Sequence, residues 1–176
     1  DVDCVYEIPL NFQKAKLPEI ICQHFKLEQR PIVMNEWLHF LHNRENAEEV
    51  VTIAVCGKYV QHQDAYKSIG EALIHAGASL MKRVKIIWID SEHNFLEEEI
   101  ATMLNGVQGI LVPGGFGVRG IEGKIVFTKY ARENNIPYLG ICLGMHVAVI
   151  ECARDLCNLV DLSLIHISEP TRLLSI

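Results

Sequence analysis

Four apolar runs, each followed by a segment of helical spacing, constrain this chain more than anything else in it. Val50-Val51-Thr52-Ile53-Ala54-Val55-Cys56 is apolar almost without a break, the mark of a strand buried on both faces of a parallel sheet. Gly57-Lys58-Tyr59 turns out of it, and Asp64 is placed to cap a helix that buries Ile69, Ala72, Leu73 and Ala76 and stops at Gly77. Val84 to Asp90 is the next strand, and Phe95 to Leu104 a helix whose first turn, Glu97-Glu98-Glu99, suits the dipole. Gly109 to Val112 is a third strand, Ile121 to Asn134 a further helix, and Ile136 to Ile141 a fourth strand. This alternation predicts an α/β fold with a doubly wound, flavodoxin-like parallel sheet. Sites in such sheets form at the carboxyl ends of the strands.

The first 46 residues differ in style. Cys4 to Pro9 reads as a short strand stopped by proline, and Lys16 to Phe25 has helical spacing entered at Pro18. Trp37, Leu38, Phe40 and Leu41 make a second amphipathic turn or two, and Asn43 to Glu49 is a polar, charged connector. A boundary is expected there, with residues 1–46 as the remnant of a preceding domain and residues 47–161 as the first part of the next. Asp1-Val2-Asp3 is neither a signal peptide nor an initiator methionine, and reads as the interior of a longer protein. The net charge of −6, without a dense Lys/Arg cluster, gives no footprint for nucleic acid. No apolar run approaches the roughly 20 residues a membrane helix requires. Six cysteines without a CxxC pair or ligand-like histidine spacing point to neither a disulfide framework nor a metal site, and suit a reducing cytoplasm.

The chemistry concentrates where the fourth strand ends. Gly140-Ile141-Cys142-Leu143-Gly144 is a Gly-x-Cys-x-Gly at a strand-to-helix junction, the thiol counterpart of the serine nucleophile elbow. The helix start brings peptide N–H groups and a positive dipole end beside the sulfur, a setting that favours the attacking thiolate form. The third strand ends in Pro113-Gly114-Gly115-Phe116-Gly117, which lacks the Gly-Lys-Ser/Thr ending of a phosphate loop and is not a GxGxxG. This stretch is either a plain tight turn between strand and helix, or a loop whose Gly115 N–H would make, with that of Leu143, a two-donor oxyanion hole. Cysteine attack with an oxyanion hole means acyl transfer, most simply on an amide.

These residues carry a resemblance. PGGFGxRGIEGK at Pro113 to Lys124 and GICLGM at Gly140 to Met145 resemble the class I glutamine amidotransferase domain of the CTP synthase family. GKY at Gly57 to Tyr59, DAYKS at Asp64 to Ser68 and WIDSE at Trp88 to Glu92 are similar to the same family, as are VDCVYEIP and the Glu36-Trp37 segment to the end of its amidoligase domain. The resemblance implies an enzyme, a C–N ligase, that makes CTP from UTP, ATP and glutamine. Ammonia released from glutamine reaches a site where ATP with Mg2+ activates the uracil ring, and GTP is an allosteric activator. It further implies Cys142 as nucleophile, and Gly115, Leu143, Gly144, Met145 and His146 around glutamine. Asp1 and Val2 fall at the end of an adenine-contacting strand, and a homotetramer that polymerises into filaments is implied. Another class I amidotransferase, or a non-catalytic oligomerisation module, are the competing readings.

Two departures stand out. His146 occupies a position where the family has glutamine, and an imidazole offers a different donor set from an amide. The family's downstream His-x-Glu, which supplies the base, is absent; His166 and Glu169 have the wrong spacing. Leu162 to Arg172 resembles, residue for residue, the in-frame translation of a transposase sequencing adapter, so residues 162–176 are expected to be adapter-derived and the domain truncated near Asp161. Without the base, the expectation is a poised nucleophile with negligible turnover, and an uncovered sheet edge that lowers solubility.

Overall fold

The computed structural model describes residues 2, 4–60, 63–93, 95–115, 117 and 119–168. It divides into two units, residues 1–49 with 74–83 and residues 50–73 with 84–176.

In the first unit a 3₁₀ turn, Val5–Glu7, leads into helix α1, Ile8–Lys14, where a strand was expected. Pro9 is compatible with this: it lies in the first turn of the helix, where its missing N–H has no intrahelical acceptor to lose and its fixed φ is already helical. Pro18 has the same place in α2, Leu17–Phe25, as its spacing predicts. Helix α3, Asn35–Asn46, runs through the residues expected to form a polar connector. Its asparagines find partners one turn back: Asn43 meets His39 Nε2 at 3.2 Å, and Asn46 donates to the His42 carbonyl at 2.7 Å. Asn43 is buried as a result. Tyr6 gathers Trp37, Phe40 and His75, with ring centroids 5.9, 5.1 and 5.2 Å away, and Trp37 Nε1 donates to the Tyr6 carbonyl at 2.8 Å. Arg83 donates to the Ala47 carbonyl at 3.0 Å, and Lys82 pairs with Glu49.

The second unit is built on strands β1, Glu49–Gly57; β2, Lys82–Asp90; β3, Gly109–Val112; and β4, Tyr138–Gly140. Their order is β2-β1-β3-β4, and β1/β3 and β3/β4 are parallel, with Val55 opposite Leu111 and Leu111 opposite Leu139. This is the doubly wound sheet that the alternating pattern predicts. β3 is buried at every residue, and Ala54, Val55 and Cys56 of β1 are wholly buried, as strands covered on both faces must be. β4 is shorter than expected, although Pro137 O and Ile141 N still pair with Ile110 and Val112 at 2.8 and 3.0 Å. It stands at the sheet edge, and Leu139 is 55% exposed.

Helix α4, Lys67–Ser79, is preceded by a 3₁₀ turn, Gln63–Tyr66, so Asp64 lies inside that turn instead of capping the helix. The helix also passes through Gly77; Gly77 and Ala78 are buried while Ala72 and Ala76 are exposed. Met81, at φ 54°, takes the left-handed position that Gly77 was expected to supply. Helices α5, Glu97–Met103, and α6, Ile121–Glu133, cover one face of the sheet: Ile100, Leu104, Phe127 and Ala131 pack with Ala54, Cys56, Ile89, Ile110 and Val112. Each large apolar side chain buried there contributes about 1.5–3 kcal/mol. Helix α7, Leu143–Leu156, joins a second cluster through Leu143, Val147 and Ile121, against which Leu164 of the short helix α8, Leu164–Ser168, also packs.

Charge locks α6 to α7. Arg132 Nη2 donates to Glu151 Oε1 at 2.7 Å, its Nε lies 3.1 Å from both Glu151 oxygens, and Glu151 is 1% exposed. The hydrogen bonds to Glu151 hold the guanidinium far above its ordinary range. Arg132→Ala leaves that carboxylate buried and unpaired, so a loss of about 3 kcal/mol in denaturant unfolding is expected. Arg132→Lys, without the fork, recovers only part of it.

Candidate active site

Cys142 lies between β4 and α7 as the residue before the helix, with φ 53° and ψ −107°, a backbone conformation rarely held by a side-chain-bearing residue. The bracketing glycines explain how it is held. A Cβ on Gly144 would lie 2.0 Å from the Val112 carbonyl oxygen, and a Cβ on Gly140 would lie 2.5 Å from the Gly144 carbonyl carbon. The turn closes this tightly only because both positions lack a side chain. Sequence spacing implies such a bend; only the structure shows that Val112, at the end of β3, is the surface it closes on. Tyr138 adds a tie, its hydroxyl donating to the Gly144 carbonyl at 2.7 Å.

Cys142 itself is exposed. In the first turn of α7, Gly144 N–H donates to the Ile141 carbonyl and Met145 and His146 N–H to that of Cys142. The Leu143 amide has no backbone acceptor among the described residues. That leaves its N–H, next to the sulfur, available to an incoming oxygen.

The glycine loop comes to the same place. The Cβ position at Gly114 is 3.5 Å from Cys142 Cβ and 4.0 Å from Sγ. Gly114, which pattern reading passes over, is therefore the loop glycine lying against the cysteine. Gly115 follows it, its own Cβ position 3.3 Å from Lys58 Cε and 3.7 Å from Lys124 Nζ. Phe116 lies outside the described residues. Lys58 and Lys124 are buried, with the Lys58 ammonium 5.1 Å from the centre of the Tyr59 ring. Both lysines fall inside the motifs quoted above, but nothing in the spacing of the chain marks them as lying beside Gly115.

The remaining expected residues divide. Gly144 is buried in the turn, Met145 is exposed, and His146 is half-buried one turn into α7. Among the described residues no imidazole or carboxylate is hydrogen-bonded to Cys142 Sγ; His39, His42, His75, His93 and His166 have partners elsewhere. His166 faces Ser163 on the short α8. Val2 is exposed, and Asp1 lies outside the described residues. Among the described residues no group of three His, Cys, Asp or Glu is placed to hold a metal ion. No helix among them is long and apolar enough to cross a membrane.

The chain is similar to known proteins. CTP synthase of Bacillus subtilis (strain 168) is 50% identical over 159 residues, which is 90% of this chain and 30% of that protein. CTP synthase of Halalkalibacterium halodurans is also 50% identical over the same shares. The chain thus spans about a third of the length of these relatives. A solved structure of the Trypanosoma brucei CTPS glutaminase domain with bound acivicin superposes with a TM-score of 0.58 at 44% identity, covering 63% of this chain and 43% of that one. Residues 61–172, well over half of the chain, match glutamine amidotransferase class-I, and the chain belongs to that family.

Proposed function

We propose that this unit supplies the nucleophile and the oxyanion donors for the glutamine-cleaving half-reaction of a CTP synthase, a reaction the whole protein completes. Cys142 Sγ attacks the side-chain amide carbon of glutamine; a C–S bond forms and the carbonyl electrons move onto oxygen. The Leu143 N–H and a loop N–H at Gly115, next to Gly114, receive that oxyanion, an interaction worth about 3 kcal/mol per donor. Collapse breaks the C–N bond, the leaving nitrogen takes a proton from water and departs as ammonia, and the hydroxide so formed cleaves the thioester to glutamate and returns the thiolate. Gly144, Met145 and His146 line the glutamine site. The observation that carries this reading is the strained, exposed Cys142 with Gly114 against it.

For the whole protein we propose CTP formation from UTP, ATP with Mg2+ and the released ammonia, with GTP as activator, in a cytoplasmic homotetramer able to form filaments. Similarity to CTP synthases over 90% of this chain supports this. Because no base contacts Cys142 among the described residues, the 176-residue polypeptide expressed as such is expected to release no ammonia from glutamine above a Cys142→Ala background. An ammonia-release assay measures this; Cys142-dependent turnover contradicts it. Glutamine binding is tested separately: L-glutamine, and not D-glutamine, is expected to slow iodoacetamide alkylation of Cys142.

A further inference from the structure

Lys124 lies in the second turn of α6 with 0% of its surface exposed. Lysines normally carry the ammonium out to water, and burying one without a carboxylate partner is costly. Its Nζ donates to the Pro113 carbonyl at 3.4 Å and lies 3.7 Å from the Cβ position of Gly115. The charged and titratable groups acting on it are Lys58 and Cys56; no carboxylate is among them. Burial, then Lys58, push the ammonium down to about 8, and Cys56 opposes them.

The loop it touches needs an anchor. Gly114, Gly115 and Gly117 have the widest backbone freedom of any residue, and Gly117 uses it at φ 80°. Pro113, which starts the loop, has no N–H, so its carbonyl is the only backbone group there that a hydrogen bond can hold. Lys124, itself buried, donates to that carbonyl.

We propose that Lys124 is a positioning residue for the amide reaction, its ammonium fixing the Pro113–Gly115 loop so that the oxyanion donor faces Cys142. This rests on the glutamine chemistry proposed above. The ammonium does not touch substrate; it acts through Pro113 and Gly115, and its burial lowers stability in exchange for a rigid loop.

The test compares two reagents on Cys142 of the full 176-residue chain. The chloromethyl ketone analogue of L-glutamine alkylates the thiolate as a C–S bond forms and chloride leaves, and it needs its ketone oxygen held by the loop. Iodoacetamide needs only the exposed sulfur. Lys124→Met keeps most of the stem and removes the buried charge, so it is expected to melt at or above the temperature of the unsubstituted chain. Capture by the ketone is expected to slow roughly tenfold or more, while iodoacetamide stays within about twofold. Phe127→Leu, a buried change on the same helix, is expected to lower the melting temperature without separating the two rates. Equal slowing of both reagents in Lys124→Met, or of neither, overturns the proposal. If the unsubstituted chain is alkylated by iodoacetamide but not by the ketone, the glutamine reading fails and the role of Lys124 fails with it.

Discussion

Gly144→Ala is expected to be among the most damaging single-methyl changes in this protein. The added Cβ meets the Val112 carbonyl oxygen at 2.0 Å and its carbon at 2.9 Å. Val112 is the fully buried end of β3, and its carbonyl already accepts the Ile141 N–H at 3.0 Å. Neither side can give way as a flexible side chain can. α7 must lift from the sheet, opening the cluster of Leu143, Val147 and Ile121. Because the clash is with backbone, a cost at the top of the overpacking range is expected, about 3 kcal/mol, a large share of the about 5–15 kcal/mol that holds a domain folded. Urea unfolding is expected to show a much lower midpoint, and Cys142 to lose its preference for a glutamine analogue over iodoacetamide. Gly106→Ala is the control. Gly106 also has a positive φ, 76°, but nothing lies within 4 Å of its Cβ position, so it bears only the left-handed penalty of about 1–2 kcal/mol.

Cys142→Gly is expected to move stability and chemistry in opposite directions. At φ 53° and ψ −107° a side-chain-bearing residue stores about 1–3 kcal/mol of strain, which glycine releases. Glycine gives some of this back, about 0.5–1 kcal/mol, through the entropy of its unfolded state. The thiol is exposed, so little apolar contact is lost. The expected net gain is about 1 kcal/mol in denaturant unfolding, together with complete loss of covalent capture. Cys142→Ala keeps most of the strain and is expected to lose the chemistry without the gain. If Cys142→Gly is instead destabilised by more than the glycine entropy, the elbow stores no strain and its backbone serves packing alone.

What pattern reading could see follows from what each pattern depends on. β1 and β3 were legible because strands buried on both faces admit almost only apolar residues, as Ala54 to Cys56 and Gly109 to Val112 show. The elbow was legible because a strained turn needs small residues at fixed offsets, and Gly140 and Gly144 supply them. Pro9 misled because proline ends a strand and starts a helix equally well, and the choice fell to the packing around Tyr6. The polar run after Asn43 misled because its helix is held by side chains of the preceding turn. Lys124, Tyr138 and Gly114 act through contacts made only when α6, β4 and the glycine loop converge. No local spacing encodes them.

The central claim, that Cys142 is a glutamine-directed nucleophile, is tested most directly by locating the adduct of the chloromethyl ketone analogue of L-glutamine. Cys157, at the far end of α7, provides the internal comparison: it is also free and exposed, and among the described residues no glycine has it as a near neighbour. After partial reaction of the 176-residue chain, peptide mass spectrometry is expected to find the adduct on Cys142 and not Cys157, suppressed by L-glutamine and unaffected by D-glutamine. Labelling of Cys157 and Cys142 at comparable rates, without protection by L-glutamine, contradicts the claim.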